Sequence, residues 1–321
     1  MEIGNLVSFR SDVKVLDATL RDGGLVNNFA FSDEFVKDLY QANIKAGVDY
    51  MEFGYRADKT IFNVDDFGKW KFCDEKDIRA IVGENNTDLK IAIMTDVGRT
   101  DYKKDVLPKK DSVVDLVRVA TYVHQIPTAI DMIEDAKNKG YEVSANIMAV
   151  SKVNDKDITN CLEELSKCSV DVIYLVDSFG AFYPEQIRSL TDKYMNVAEK
   201  CGKKIGIHAH NNQQLAFAST IEALTHGASY LDATMCGMGR GAGNCFMESL
   251  LGFLKNPKYN LPPVMDFISK HMLDMKKAYN WGFDIPYLLT GVLNSHPSTA
   301  IKFIKDGRTD YSKFQQELLD L

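Results

Sequence analysis

The sequence lacks the features that mark membrane and secreted proteins. No uninterrupted apolar segment approaches the ~20 residues that a bilayer-spanning helix needs. Residues 1–5 carry no basic-then-apolar signal, and the six cysteines are scattered without C-x-x-C spacing. We therefore expect a soluble cytoplasmic protein with reduced thiols and no membrane partner.

The sequence also lacks a basic stripe. It carries 38 lysines and arginines against 45 aspartates and glutamates, a formal net charge of −7. Because phosphate binding needs clustered Lys and Arg, this balance argues against nucleic acid as a partner. With 321 residues, 45% of them hydrophobic, the chain can bury a full core as two ordinary domains or as one large α/β barrel with an appendage.

Short β-branched runs recur along the chain, and a helix-length amphipathic segment follows nearly every one. Eight runs predict strands, at residues 14–19, 50–54, 89–95, 112–119, 142–148, 172–176, 204–208 and 230–234. Eight βα units of this kind close into a (β/α)8 TIM barrel. Ser32 predicts a helix cap before residues 34–46 and a stop at Gly47, and Pro184 opens another helix.

An open, doubly wound sheet is the competing architecture, but the glycine-rich dinucleotide loop expected after its first strand is missing. The glycine-dense segment 237–243 follows the last strand and is better suited to a barrel mouth. From about residue 256 the βα alternation stops. We expect a catalytic barrel over residues 1–255 and a short helical extension, packed on the barrel, over residues 256–321.

A metal site is indicated by two motifs far apart in the sequence. In a strand, side chains alternate faces, so His208 and His210 point the same way and can converge on one divalent cation. Asp22, which the pattern places with Arg21 at the end of the first strand, would complete the set. Strand eight alone separates strands one and seven, and functional residues lie at the carboxyl ends of barrel strands. Non-haem iron oxygenases use a similar triad, so they remain an alternative.

Four motifs in this order resemble the metal-dependent carbon–carbon lyases, aldolases and acyl transferases that include hydroxymethylglutaryl-CoA lyase, 4-hydroxy-2-oxovalerate aldolase and isopropylmalate synthase. They are LDATLRDG (16–23), MEFG (51–54), HAHNN (208–212) and GAGN (241–244). The resemblance spans the whole barrel and is greatest to the oxovalerate aldolases. It does not extend to the long regulatory tails of the synthases.

The resemblance implies that Asp22, His208 and His210 bind a divalent metal, with Asn244 as a further ligand. Mn²⁺ or Mg²⁺ is expected, with Zn²⁺ or Co²⁺ as alternatives. It also implies roles at the substrate for Arg21 and Glu52.

By the same resemblance, Arg21 would face an enolate, and Glu52 would support the arginine or the metal. The implied reaction is aldol cleavage of a small 4-hydroxy-2-oxo acid that releases pyruvate, a 2-oxo acid. The alternatives are an acyl-CoA condensation or a lyase reaction like that of hydroxymethylglutaryl-CoA lyase, and a non-catalytic metal-binding barrel or partner subunit. A homo-oligomer and an aldehyde dehydrogenase partner are both consistent with the resemblance.

One position departs from the aldolase pattern. The family histidine that serves as catalytic base, three residues after Asp22, is replaced by Leu25, which cannot carry a proton. We expect the base to have moved, with Tyr55, Tyr287 and His296 as candidates. Otherwise a metal-bound water acts as base, or the reaction is a different one.

Overall fold

The computed structural model describes residues 6–321, and within that range eight parallel strands form one closed barrel. Each strand pairs with the next along the chain, and the first pairs with the eighth. The strands are β1 (Lys14–Asp17), β2 (Tyr50–Tyr55), β3 (Lys90–Asp96), β4 (Leu116–Thr121), β5 (Glu142–Ile147), β6 (Val172–Asp177), β7 (Lys204–Ala209) and β8 (Tyr230–Ala233). The predicted TIM barrel is confirmed. Residues 1–5, on which the expectation about a signal sequence rests, lie outside the described range.

Helices alternate with the strands and then continue alone. The barrel helices are α1 (Thr19–Asn27), α2 (Asp33–Ala46), α3 (Glu75–Val82), α4 (Tyr102–Asp105), α5 (Ile126–Asn138), α6 (Asp155–Lys167), α7 (Pro184–Cys201), α8 (Ala216–Thr225) and α9 (Met247–Phe253). The C-terminal helices are α10 (Pro262–Phe267), α11 (Leu273–Ala278), α12 (Ile285–Val292), α13 (Ser298–Lys305) and α14 (Tyr311–Leu319), with a π-helical turn at Ile268–Met272 between the first two. Among the described residues, no helix is both long and apolar enough for a membrane crossing.

The predicted boundaries of α2 have a clear physical basis. The Ser32 hydroxyl accepts a hydrogen bond from the Phe35 N–H at 3.2 Å, which caps the first turn. Gly47 ends the helix with φ 71°, a left-handed conformation that glycine adopts without a steric penalty. A Cβ at Gly47 would lie 2.1 Å from the Lys258 carbonyl oxygen, so this position has no room for a side chain.

The prediction that the first strand continues to residue 19 and places Arg21 and Asp22 at its end is wrong. β1 ends at Asp17, whose carboxylate accepts the Thr19 N–H at 2.9 Å and also the Thr19 hydroxyl. These bonds turn the chain directly into α1, and Arg21 and Asp22 lie in its opening turn.

The fourth strand begins four residues later than predicted. The Ser112 hydroxyl and the Val113 N–H both donate to the Glu75 carboxylate, at 2.7 and 2.8 Å. Because a residue of α3 binds these two groups, β4 begins only at Leu116.

The C-terminal helices reach the carboxyl end of the barrel, where the loops after β6 and β7 lie. Asn212 donates to the Tyr287 carbonyl oxygen of α12 at 3.4 Å, and Asn294 donates to the Ser151 carbonyl oxygen at 2.8 Å. The His296 ring packs edge-on against Phe179 with centroids 5.4 Å apart. The tail therefore covers part of the barrel mouth.

Candidate metal centre

Three buried ligand groups converge at the mouth of the barrel. Asp22 comes from α1, while His208 lies near the end of β7 and His210 just beyond it. The Nε2 atoms of His208 and His210 lie 3.3 and 3.9 Å from Asp22 Oδ2. One ligand atom from each residue lies within 4.8 Å of the other two. The structure thus brings together the three residues that the sequence predicts as metal ligands.

The donor set fits a divalent cation. His208 Nε2 is buried and has no hydrogen-bond partner among residues 6–321, since its approach to Asp22 lacks hydrogen-bond geometry. Asn244 Nδ2 donates to the Met238 carbonyl oxygen at 3.3 Å, which leaves its buried Oδ1 without a partner in the same part of the chain. Imidazole nitrogen together with carboxylate and amide oxygen suits Mg²⁺, Mn²⁺ or Zn²⁺.

Gly239 has no side chain, and this leaves room for Asn244, the predicted fourth ligand, close to Asp22. A Cβ at this glycine would lie 2.1 Å from Asn244 Nδ2 and 2.7 Å from Asp22 Oδ1. The Asn244 amide and the Asp22 carboxylate therefore both lie against the same stretch of backbone. The ligand role of Asn244 stays a prediction.

The electrostatics keep the ligands in their binding forms. Burial lowers the pKa of His210 to about 3, so its imidazole is neutral and can donate a lone pair. Burial is the largest single influence on Asp22 and opposes its ionisation, but the positive charge of Arg21 and the contacts with the two histidines together outweigh it and hold the pKa of this carboxyl well below its ordinary value. Asp22 is therefore a carboxylate.

A ring of charged groups lies beneath the ligands inside the barrel. Arg21 donates to Asp22 at 2.5 Å and to Glu52 at 2.8 Å. Arg118, fully buried in β4, donates to Glu52 at 2.8 Å and to Asp232 at 2.6 Å. Arg21 and Asp22, which are neighbours in the sequence, therefore form an ion pair. Glu52 supports both arginines, as the sequence predicts for one of them.

Asp232 closes this ring by contacting His208. Its Oδ2 lies 3.0 Å from His208 Nδ1, which places the ring proton on Nδ1 and leaves Nε2 free for a cation. Sequence reasoning missed Asp232 and Arg118. The available signal was a single charged residue in the middle of each apolar strand, in the segments YLDA and LVRVAT.

A cavity of about 70 Å³ opens beside the ligands. Arg21, Asp22, His208 and His210 form one wall, and the rest of the lining includes Leu25, Tyr55, Met94, Ala120, Asn146, Met148, Val176, Ser178 and Arg240. A larger groove of about 820 Å³ lies between α5 and α6 and shares Met148 with this cavity. We place the chemistry in the smaller cavity because the candidate ligands are there.

The three candidate bases occupy different surroundings. Tyr55 lines the cavity, and burial raises its pKa to about 12. Tyr287 is buried in an apolar cluster with Phe303 and packs against Gly241, while His296 is exposed on the covering tail. Neither of these two belongs to the cavity wall in the described chain.

A family model described as HMGL-like matches residues 12–278 of this chain. The chain belongs to the HMGL-like family. Oxaloacetate decarboxylase from Mycobacterium tuberculosis is 30% identical over 276 residues, covering 84% of this chain and 79% of that protein. 4-Hydroxy-2-oxovalerate aldolase from Pelotomaculum thermopropionicum is 29% identical over 251 residues, covering 78% and 72%.

Solved structures agree with this family assignment. The N-terminal domain of a candidate aldolase from Bacteroides vulgatus matches with a TM-score of 0.77 and 29% identity, covering 91% of this chain and 96% of that one. Hydroxymethylglutaryl-CoA lyase from Brucella melitensis shares the fold, with a TM-score of 0.65, 15% identity, and coverage of 83% and 99%. The HMGL-like family and its named members identify this protein as a carbon–carbon lyase.

Proposed function

We propose that this HMGL-like lyase cleaves the C3–C4 bond of a small 2-oxo acid and releases pyruvate. The observation that carries the proposal is the convergence of Asp22, His208 and His210 beside Arg21 in one cavity. Breaking this bond leaves an enolate whose negative charge is centred on the keto oxygen, and fixed positive charge stabilises it. A divalent metal, which we propose to be Mn²⁺ or Mg²⁺ with Zn²⁺ or Co²⁺ as alternatives, would when bound polarise that oxygen.

Arg21 is placed to act on the same oxygen. Glu52 accepts from its Nε and Asp22 from its Nη1, so the guanidinium plane is fixed from two sides. Its Nη2 group remains to donate to the enolate oxygen. Because this orientation exists before substrate binds, no reorganisation is needed as the charge develops.

The first candidate substrate is a 4-hydroxy-2-oxo acid, as the motif resemblance and the aldolase relative support. As the C3–C4 bond of this substrate breaks, the 4-hydroxyl group loses its proton and becomes an aldehyde carbonyl. Tyr55 is the base candidate on the cavity wall, whereas Leu25 occupies the position of the family base.

Decarboxylation of a 2-oxo diacid is a second candidate, and Leu25 favours it. Loss of CO₂ produces the same enolate without removing a proton from a hydroxyl group, so no base is required. A phenol whose pKa is about 12 stays protonated at neutral pH, so Tyr55 can donate the proton that converts the enolate to pyruvate. A decarboxylase is also among the relatives of this chain.

A turnover screen separates these reactions. The protein is assayed with Mn²⁺, Mg²⁺, Co²⁺ and Zn²⁺ on 4-hydroxy-2-oxo acids and on oxaloacetate, with pyruvate measured through lactate dehydrogenase and aldehyde through alcohol dehydrogenase. Metal-only reactions correct for spontaneous decarboxylation, and Asp22→Asn is the matched variant. We expect pyruvate in excess of both controls, and equimolar aldehyde identifies aldol cleavage.

Pyruvate formation no faster than in the metal-only reactions would contradict the proposal. Metal binding without turnover of any 2-oxo acid would favour the non-catalytic barrel, and turnover of an acyl-CoA would favour the condensing reaction. Oligomerisation and an aldehyde dehydrogenase partner remain proposals, and sedimentation of the protein alone and with such a dehydrogenase tests them.

A further inference from the structure

Arg240 extends across the cavity mouth from the glycine-rich loop after β8. Its backbone N–H donates to Asp22 Oδ1 at 3.0 Å, so the residue is anchored to a candidate metal ligand. Its Nη2 donates to the Ser178 carbonyl oxygen, in the loop after β6, at 3.3 Å. The side chain therefore bridges two loops of the barrel mouth and lines the cavity.

The charge of Arg240 is not neutralised by a protein carboxylate. Among residues 6–321, no Asp or Glu oxygen lies within ion-pair distance of its guanidinium, and its Nε is buried without a hydrogen-bond partner. The other two arginines of the site differ, because Arg21 and Arg118 each contact two carboxylates. A partly buried cation with unpaired hydrogen-bond donors lowers the stability of the fold unless an anion binds to it.

We propose that Arg240 binds a second anionic group of the substrate, a carboxylate at the end distant from the keto acid. This inference rests on the proposed function, since it assumes that the keto-acid end faces Arg21 and the three ligands. The planar guanidinium can offer two parallel N–H groups to a carboxylate. The substrate class is thus a 2-oxo dicarboxylic acid whose distal carboxylate stays on the aldehyde product of aldol cleavage, since a carboxylate that leaves as CO₂ would lose this ion pair.

The dimensions of the site support a carboxylate as the anion. Leu25 and Val176 both line the cavity of about 70 Å³, whose small volume suits a planar carboxylate better than a bulkier phosphate ester. His296, a titratable residue of the covering tail, supplies no competing charge. Partial desolvation of the ring and the positive charge of Arg240 lower its pKa, which keeps this imidazole neutral.

A pair of unreactive ligands tests the proposal without turnover. Malate and lactate are both 2-hydroxy acids, but malate alone has the distal carboxylate. Their affinities are measured by calorimetry on the Mg²⁺-loaded wild type, on Arg240→Gln and on Arg240→Lys. Gln keeps an N–H donor for the Ser178 carbonyl and loses the charge, so it separates binding from the bridging role. Lys152→Met removes a positive charge from the neighbouring groove and serves as the control.

We expect the wild type and Lys152→Met to bind malate on the order of 10- to 100-fold more tightly than lactate, as a charged hydrogen bond provides. Arg240→Gln should bind both ligands equally, and Arg240→Lys should retain part of the preference. Equal binding by the wild type, or a preference that persists in Arg240→Gln, would overturn the proposal. If no 2-oxo acid is turned over, the proposed function fails while this ligand comparison still decides the role of Arg240.

Discussion

Replacing Gly239 by alanine should strongly weaken metal binding while leaving the barrel folded. The new Cβ would lie 2.1 Å from Asn244 Nδ2 and 2.7 Å from Asp22 Oδ1, whereas ordinary van der Waals contact begins at 3.4 Å. The Asn244 amide would have to move by about 1.3 Å and the Asp22 oxygen by about 0.7 Å. Metal–ligand distances tolerate only about 0.2 Å, so neither shift is compatible with the site.

We expect the metal dissociation constant of Gly239→Ala to rise on the order of 100-fold, since even displaced supporting residues cost ~10- to 100-fold. The assay is competition with a chelating dye, together with thermal unfolding. The backbone at Gly239 does not have positive φ, so alanine brings no conformational penalty. Gly252→Ala, in α9 with no heavy atom within 4 Å of the added carbon, is the matched control. Unchanged affinity in folded Gly239→Ala would refute the placement of Asn244 and Asp22 at the metal.

Three other predictions concern single side chains. Asp232→Asn should weaken metal binding ~10- to 100-fold, because Asp232 Oδ2 lies 3.0 Å from His208 Nδ1 and fixes the tautomer of that ring. An unchanged metal affinity in the dye competition would show that this contact has no such role. Arg21→Lys should lower kcat on the order of 100-fold with a smaller change in KM, since its charge matches the enolate, whereas near-normal kcat would make Arg21 structural. Burial raises the pKa of Asp177 from 3.8 to about 7, so the native state holds this proton more tightly than the unfolded chain. The free energy of unfolding of the wild type, measured by urea titration, should therefore decrease relative to Asp177→Asn as the pH rises from about 4 to about 7, and parallel curves would contradict this.

The barrel could be predicted because its signal is local and repeated. Each apolar run and each following amphipathic segment shows its own periodicity, and eight repeats of one unit specify closure. The ends of the strands were harder to predict from the sequence. β1 stops early because the Asp17 carboxylate captures Thr19, and β4 starts late because Glu75 captures Ser112 and Val113. Both effects depend on side-chain contacts that periodicity does not describe.

The candidate site also has residues that the sequence predicts and residues that it does not. Asp22, His208 and His210 could be predicted because they belong to short motifs that lie just after β1 and at the end of β7. Arg118 and Asp232 were missed because each is an isolated charge in an apolar strand, and its partners are distant in the sequence.

The base candidates on the tail show another limit of sequence reasoning. The tail reaches the barrel mouth, but which of its side chains reach the cavity depends on how α12 packs. The ring of Tyr287 lies in the cluster with Phe303, and His296 remains exposed.

The metal content of the purified protein tests the central claim most directly. After dialysis against Mn²⁺ and removal of free ion, mass spectrometry gives the bound metal per chain for the wild type, Asp22→Asn and His208→Ala. Because each residue supplies about a third of the charged and imidazole donors, we expect one ion per wild-type chain and a strong loss in both variants. Undiminished stoichiometry in both folded variants would contradict the account.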